Sequence, residues 1–232
     1  MGLVKFGIGV SKISGKIGGS VFASNRYGSY IRNWANPVNP SSNRQQAVRS
    51  TMAALVQDWK DTLTDSQRYQ WEVYAANIVM KNRLGEDIYL SGFNHFVRAN
   101  MAIINAELDQ VNGGPGILSL PATDPSMTSA IASGAQQVSI AFNDGLDWVD
   151  EAGGAMLIYL GKPVSAGKSF FAGPWRYAGA ILGDAAAAPT SPATMATPFA
   201  VQAGQKIWTK ARIVRADGRL TEYFQPSTAL VG

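Results

Sequence analysis

At Asn112-Gly113-Gly114-Pro115-Gly116 the chain changes its hydrophobic period, and no helix or strand can run through that break. Before it, apolar residues recur at steps of three and four; after it they alternate. Val138-Ser139-Ile140-Ala141-Phe142 and Ile207-Trp208-Thr209-Lys210-Ala211-Arg212-Ile213-Val214 carry the two-residue period of half-buried strands. Ala155 to Leu160 reads as a buried strand, and Ala216-Asp217-Gly218-Arg219 as a hairpin turn leading into Leu220 to Phe224. Residues 184–198, rich in Ala, Pro and Thr, read as a long surface connection. Several short strands within about 105 residues, with no helical period between them, predict a small antiparallel β-sandwich over 125–232. Residues 113–124 are then a linker.

Upstream of the break the pattern is helical. Asn36-Pro37-Val38-Asn39-Pro40 disfavours α-structure before each proline. Ser41 or Ser42 then caps a helix running to about Thr62, with Val48, Met52, Leu55, Val56 and Trp59 on its apolar side. Thr64-Asp65-Ser66-Gln67 is a capping box for a second helix, whose stripe is Trp71, Tyr74, Ala75 and Ile78. The short joint folds the pair into a helical hairpin. After a turn at 82–87 and an extended piece at Ile88-Tyr89-Leu90, Ser91 caps a third helix, roughly Gly92 to Gln110. Its apolar face is Phe93, Phe96, Val97, Met101, Ile104 and Leu108. Residues 41–112 thus form a small helical module.

Residues 1–40 differ from both. Their glycines cost a helix about 1 kcal/mol each relative to Ala, so this stretch reads as an extended glycine-rich arm with short strands and a hairpin across Asn25 to Ser29. The first fifty residues contain seven basic side chains and no carboxylate; the remainder has thirteen basic and sixteen acidic ones. The chain is therefore an electrostatic dipole along its sequence. The whole is expected to be α+β: arm, helical module, antiparallel sandwich.

Composition narrows the chemistry. With no cysteine, thiolate nucleophiles, disulfide frameworks and Cys-based metal sites are excluded. At 46% hydrophobic and 16% charged residues the chain is not a disordered one, and its shortage of charge suits a surface partly covered by partners. No uncharged apolar run reaches the ~18 residues of a membrane span. Ser11 and Lys12 interrupt the apolar start, so no secretory signal is expected.

His95, the one histidine, would have to serve any Ser-His-Asp site, but its setting in Phe93-Asn94-His95-Phe96 reads as a packed helical residue. Asp144, Asp147, Asp150 and Glu151 surround Trp148 without the alternating ligand spacing of an EF-hand, and read as a solvated loop. The stretch Gly9 to Lys16 fails as a phosphate loop: five residues separate Gly9 from Gly15, and Ile17 follows Lys16. The run Asn25 to Trp34 is the feature left over. Basic and aromatic residues interleave there, which suits a subunit contact, packing within the chain, or nucleic acid. The candidate partner-binding residues are Lys12, Lys16, Phe22, Arg26, Tyr27, Tyr30, Arg32 and Trp34. No cofactor and no enzymatic activity are expected.

The run Gly15 to Phe22, then Tyr30-Ile31-Arg32, Pro37-Val38-Asn39-Pro40, Gln45-Gln46-Ala47-Val48-Arg49, Leu63-Thr64-Asp65-Ser66-Gln67 and Trp71 resembles uncharacterised proteins of tailed phages and prophages. Around Ile207 to Val214 and the Asp217-Gly218 turn, the C-terminal part is similar to fibronectin-III or immunoglobulin-like modules, which are common on virion surfaces. No cysteine pair accompanies that second likeness. The resemblance implies a virion structural protein made in the host cytoplasm, a capsid-associated cement or decoration subunit stabilising the shell through its arm. Its partners would be the major capsid protein or other virion subunits and copies of itself, with no membrane. A tail or head–tail connector component is the alternative, and a nucleic-acid-binding protein using the basic arm the next.

Overall fold

The computed structural model describes residues 2–25, 28–82, 84–224 and 228–232. Among these residues, three helices and four antiparallel sheets make an α+β protein. Residues 2–33 hold β1 (Gly2–Val4), β2 (Gly15–Ile17), β3 (Ser20–Asn25) and β4 (Gly28–Asn33), in the order β1-β4-β3-β2, so that β1 and β2 are free edges. The expected short strands are present, but they form one sheet and not a loose extended arm. Full pairing of β3 with β4, from Ser20↔Asn33 to Asn25↔Gly28, satisfies their backbone groups against each other. Gly18, at φ +57, makes the tight turn from β2 into β3 that a side chain would strain. The expected hairpin is that of β3 and β4; its turn residues Arg26 and Tyr27 lie outside the described residues.

The helices start where their caps place them. Helix α1 (Asn43–Asp61) is capped by the Ser42 hydroxyl, which accepts from the Gln45 N–H, and α2 (Asp65–Asn77) by the reciprocal Thr64–Gln67 box. A two-residue pairing of β5 (Met80–Lys81) with β6 (Asp87–Ile88) leads to α3 (Gly92–Asn105), capped by Ser91. Helix α3 is shorter than its apolar pattern indicates. Glu107 turns left-handed at φ +63, and the Leu108 N–H reaches back to the Ile103 carbonyl at 3.1 Å. That closure normally uses glycine, so no sequence signal marked it. Trp71 is fully buried, edge-on to Phe96 at 5.8 Å and Tyr74 at 6.1 Å, and its indole N–H donates to the Asn112 carbonyl. The stripe expected on α2 is the buried one. On α1 only Leu55 is buried; Val48 and Met52 are partly exposed, and Val48 lines an open groove between the first half of α1 and Met101 and Ile104 of α3.

After the linker come β7 (Thr128–Ala132), β8 (Gln137–Ala141), β9 (Ala155–Gly161), β10 (Val164–Ser165), β11 (Trp175–Leu182), β12 (Ala193–Ala196), β13 (Gln205–Val214) and β14 (Thr228–Leu230). One sheet runs β12-β8-β7. The other runs β10-β13-β9-β11, with β14 also on β13. Side chains from both fill one core, including Met127, Ile131, Val138 and Ile140 from the first and Met156, Ile158, Leu160 and Ile213 from the second. Strand β12 lies in the stretch expected to be a surface connection. Ala193 and Met195 alternate inward onto the core while the intervening residues stay out, a signal that the neighbouring prolines obscure.

The other face of the larger sheet is where α3 docks. Ala102, Ile103 and Ala106 pack on Ala155, Leu157, Val214 and Leu220. The Arg98 guanidinium donates to the Leu220 and Thr221 carbonyls at 2.8 and 2.6 Å. Asn100, fully buried, exchanges hydrogen bonds with the Val111 backbone and so ties the segment just before the linker to α3. Helices and strands therefore share a continuous interior across the linker.

Two glycines permit this packing. A Cβ at Gly92 would lie 2.6 Å from the Glu72 nitrogen, and one at Gly114 would lie 2.5 Å from the Trp71 nitrogen. The substitution Gly92→Ala is expected to cost about 1–3 kcal/mol through overpacking. Urea unfolding followed by circular dichroism and by tryptophan fluorescence should register it in both signals together, because α3 belongs to both halves.

Candidate functional site

The N-terminal sheet has no buried residue, and none of the hydrophobic cores includes one of its side chains. Strand alternation sorts its residues by face. Gly2, Ile31 and Phe22 share a cross-strand row, flanked by Val4 and Ile17, and make one side apolar. The opposite side has the rows Leu3–Tyr30–Ala23 and Arg32–Val21–Lys16. Trp34 continues that side and is half exposed, with the Lys16 ammonium 3.8 Å from its ring centroid. Of the candidate residues, Lys16, Tyr30, Arg32 and Trp34 thus come together on one face, and Phe22 lies on the other. Lys12 is exposed in the β1–β2 connection; Arg26 and Tyr27 lie outside the described residues. A Lys5–Glu86 ion pair links this sheet to the turn after β5, and the hydrogen bond from Lys5 holds the Glu86 carboxyl below the usual carboxylate range.

A second surface was missed by reading the sequence in linear segments. The part of the larger sheet that α3 leaves uncovered carries interleaved rings and cations from β9, β11, β13 and the strand-like run after the Asp217-Gly218 turn. Lys210 sits 3.9 Å from the Tyr223 ring centroid and 4.7 Å from that of Trp175; Arg212 sits 4.8 Å from Tyr223. Tyr159 packs against Tyr177 and Tyr223. Beside it, the N-terminus of α1 and the sheet enclose a cleft of about 720 Å³, lined by Ser42, Arg44, Gln45, Tyr159, Trp175, Arg176 and Tyr177. One signal was visible: the outward positions of β13 read Lys206, Trp208, Lys210 and Arg212. Like charge gathers here. Burial, then the neighbouring Arg212, depresses both Lys210 and Arg98, the latter to about 10.

Two of the acidic-loop residues and His95 are held within the fold. Arg215 at the end of β13 pairs with Asp147 and Glu151, pinning the acidic loop. Among the described residues, no group of three or more His, Asp or Glu side chains is placed to hold a metal ion, and no helix is long and apolar enough to cross a membrane. His95 is buried edge-on to Tyr74 at 5.2 Å, and its Nε2 makes no hydrogen bond among the described residues. No family model, curated protein or solved structure matches this chain.

Burial first, and Arg98 second, lower the His95 pKa to about 4 from an ordinary 6.5. Above pH 6.5 neither the folded nor the unfolded chain protonates it. Between 6.5 and about 4 only the unfolded chain takes up the proton, so stability falls as the pH drops through that window. The variant His95→Gln should lack this loss. Urea titrations at pH 7 and pH 4 are expected to show the parent losing about 3 kcal/mol more than the variant between the two.

Proposed function

We propose that the chain is a non-enzymatic assembly subunit that attaches through its N-terminal sheet, and that it is a phage virion structural protein, a capsid-associated cement or decoration subunit. One observation carries the attachment: a four-stranded sheet in which every described residue retains solvent contact. Ordering backbone costs roughly 1–2 kcal/mol per residue, and small sheets gain independent stability when an apolar face is covered. Here the face of Val4, Ile17, Phe22 and Ile31 is uncovered within the chain. Burying such side chains contributes about 1.5–3 kcal/mol each, so a neighbouring subunit supplies what the chain's own core does not. The cationic, aromatic face of Lys16, Tyr30, Arg32 and Trp34 gives that contact residues typical of interface hot spots.

The phage assignment rests on the resemblance of residues 15–75. The pairing of the C-terminal strands supports the fibronectin-III-like reading: setting aside the two-residue β10, which adds to β13, the first, second and fifth strands (β7, β8, β12) are in one sheet and the third, fourth, sixth and seventh (β9, β11, β13, β14) in the other. In this arrangement the sandwich faces outward and the N-terminal sheet lies across a neighbour on the shell.

Deletion of residues 1–40 tests it. The remainder keeps every core residue, so its unfolding free energy is expected to stay within about 0.5 kcal/mol of the full chain. Co-sedimentation with assembled particles should be lost. Normal incorporation of the truncated chain into particles would overturn the proposal.

A further inference from the structure

We propose that the cleft between the N-terminus of α1 and the outer face of the larger sheet binds single-stranded nucleic acid, through phosphates held by Arg44, Lys210 and Arg212 and bases set against Tyr159, Trp175 and Tyr177. This site is separate from the N-terminal sheet and does not depend on the assembly role.

Four observations converge on a ligand that is at once anionic, ring-bearing and able to donate hydrogen bonds. None of Arg44, Lys206, Lys210 and Arg212 forms an ion pair with a carboxylate among the described residues. Glu222, beside Arg212 and Arg98, is the carboxylate near them, so positive charge remains in excess, and such a surface attracts polyanions. The cleft is floored and walled by aromatic side chains, and at about 720 Å³ it has room for a nucleotide-sized group. The N-terminus of α1 opens on the cleft through Ser42, Arg44 and Gln45; that helix has 19 residues and no acidic side chain in its first turn, so its free N–H groups add to the positive field. Gln45 Oε1, also at the cleft, is buried without a hydrogen-bond partner among the described residues, an acceptor waiting for a base or sugar donor.

The geometry favours a strand over a compact anion. From the cleft the cations continue along β13 as Arg212, Lys210 and Lys206, on every second residue or every fourth, so the backbone positions that carry them are roughly 7 or 13 Å apart. A free inorganic phosphate would use one of these charges. A flexible backbone tracks several of them and turns its bases to the rings between, as other sheet-borne single-strand sites do. The cations now cover ring faces, with Lys210 over Tyr223 and Arg44 over Tyr177. Their transfer to phosphate would expose those faces to bases.

Fluorescence anisotropy of a labelled oligothymidylate with the full chain tests this. Saturable binding is expected below about 100 µM, weakening steeply as salt is added. Arg44→Glu, at an exposed position on the cleft, and Lys210→Glu should each weaken it about tenfold or more. Lys16→Glu combined with Arg32→Glu, on the N-terminal sheet, should leave it within about twofold. Absence of binding overturns the proposal. So does equal binding of a duplex of the same length, equal competition by polyglutamate, which would mark an acidic protein partner instead, or a loss that follows the N-terminal substitutions and not the cleft ones.

Discussion

Helix α3 is buried on two sides, and most of the molecule's arrangement follows from that. Phe96 on one side closes the helical core against Trp71 and Trp59; Ile103 on the other enters the core formed with Leu157 and Val214. Arg98 and Asn100 add hydrogen bonds to backbone on the β side and to the segment just before the linker. A helix held this way cannot shift to suit one neighbour without losing contact with the other, because interiors are close-packed. It sets the position of α1 and α2 over the sheet. In doing so it covers one end of the sheet's outer face and leaves the aromatic, cationic remainder open.

What the sequence made legible were the local instructions. The Ser41-Ser42 pair, the Thr64–Gln67 box and Ser91 marked three helix starts, and Ser42, Thr64 and Ser91 are the caps in the structure. Trp71, Tyr74 and Ala75 were recognisable as a buried stripe because all three lie on one helix. Alternation placed β8 and β13, and a continuous apolar run placed β9. Less visible were features whose cause is not local. The end of α3 depends on a left-handed Glu107 with no glycine to announce it, and β12 on pairing with β8 more than fifty residues away. The cation–aromatic face draws Tyr159, Trp175, Lys210 and Tyr223 from four separate segments. No window along the chain contains that site.

The N-terminal sheet shows the reverse relation. The glycine content and clustered charge of residues 1–40 correctly indicated a segment without a core of its own, and the structure adds that it is nonetheless ordered by backbone pairing. Its stability is thus drawn from hydrogen bonds between strands and not from buried apolar area. Hydrogen bonds contribute modestly once water's competing bonds are counted. The two-sidedness matters as much: an apolar side and a cationic, aromatic side offer different chemistry to whatever lies above and below.

The edges of this sheet raise a further matter, that of its solubility. Strands β1 and β2 each present an unpaired row of backbone N–H and C=O groups, which is a template for adding copies of the same strand without limit. Both edges are only three residues long, and Lys16 stands at the middle of one of them. Brevity and a projecting ammonium are the usual guards against fibre growth, so the same segment that is open to a specific neighbour carries its own restraint on uncontrolled stacking.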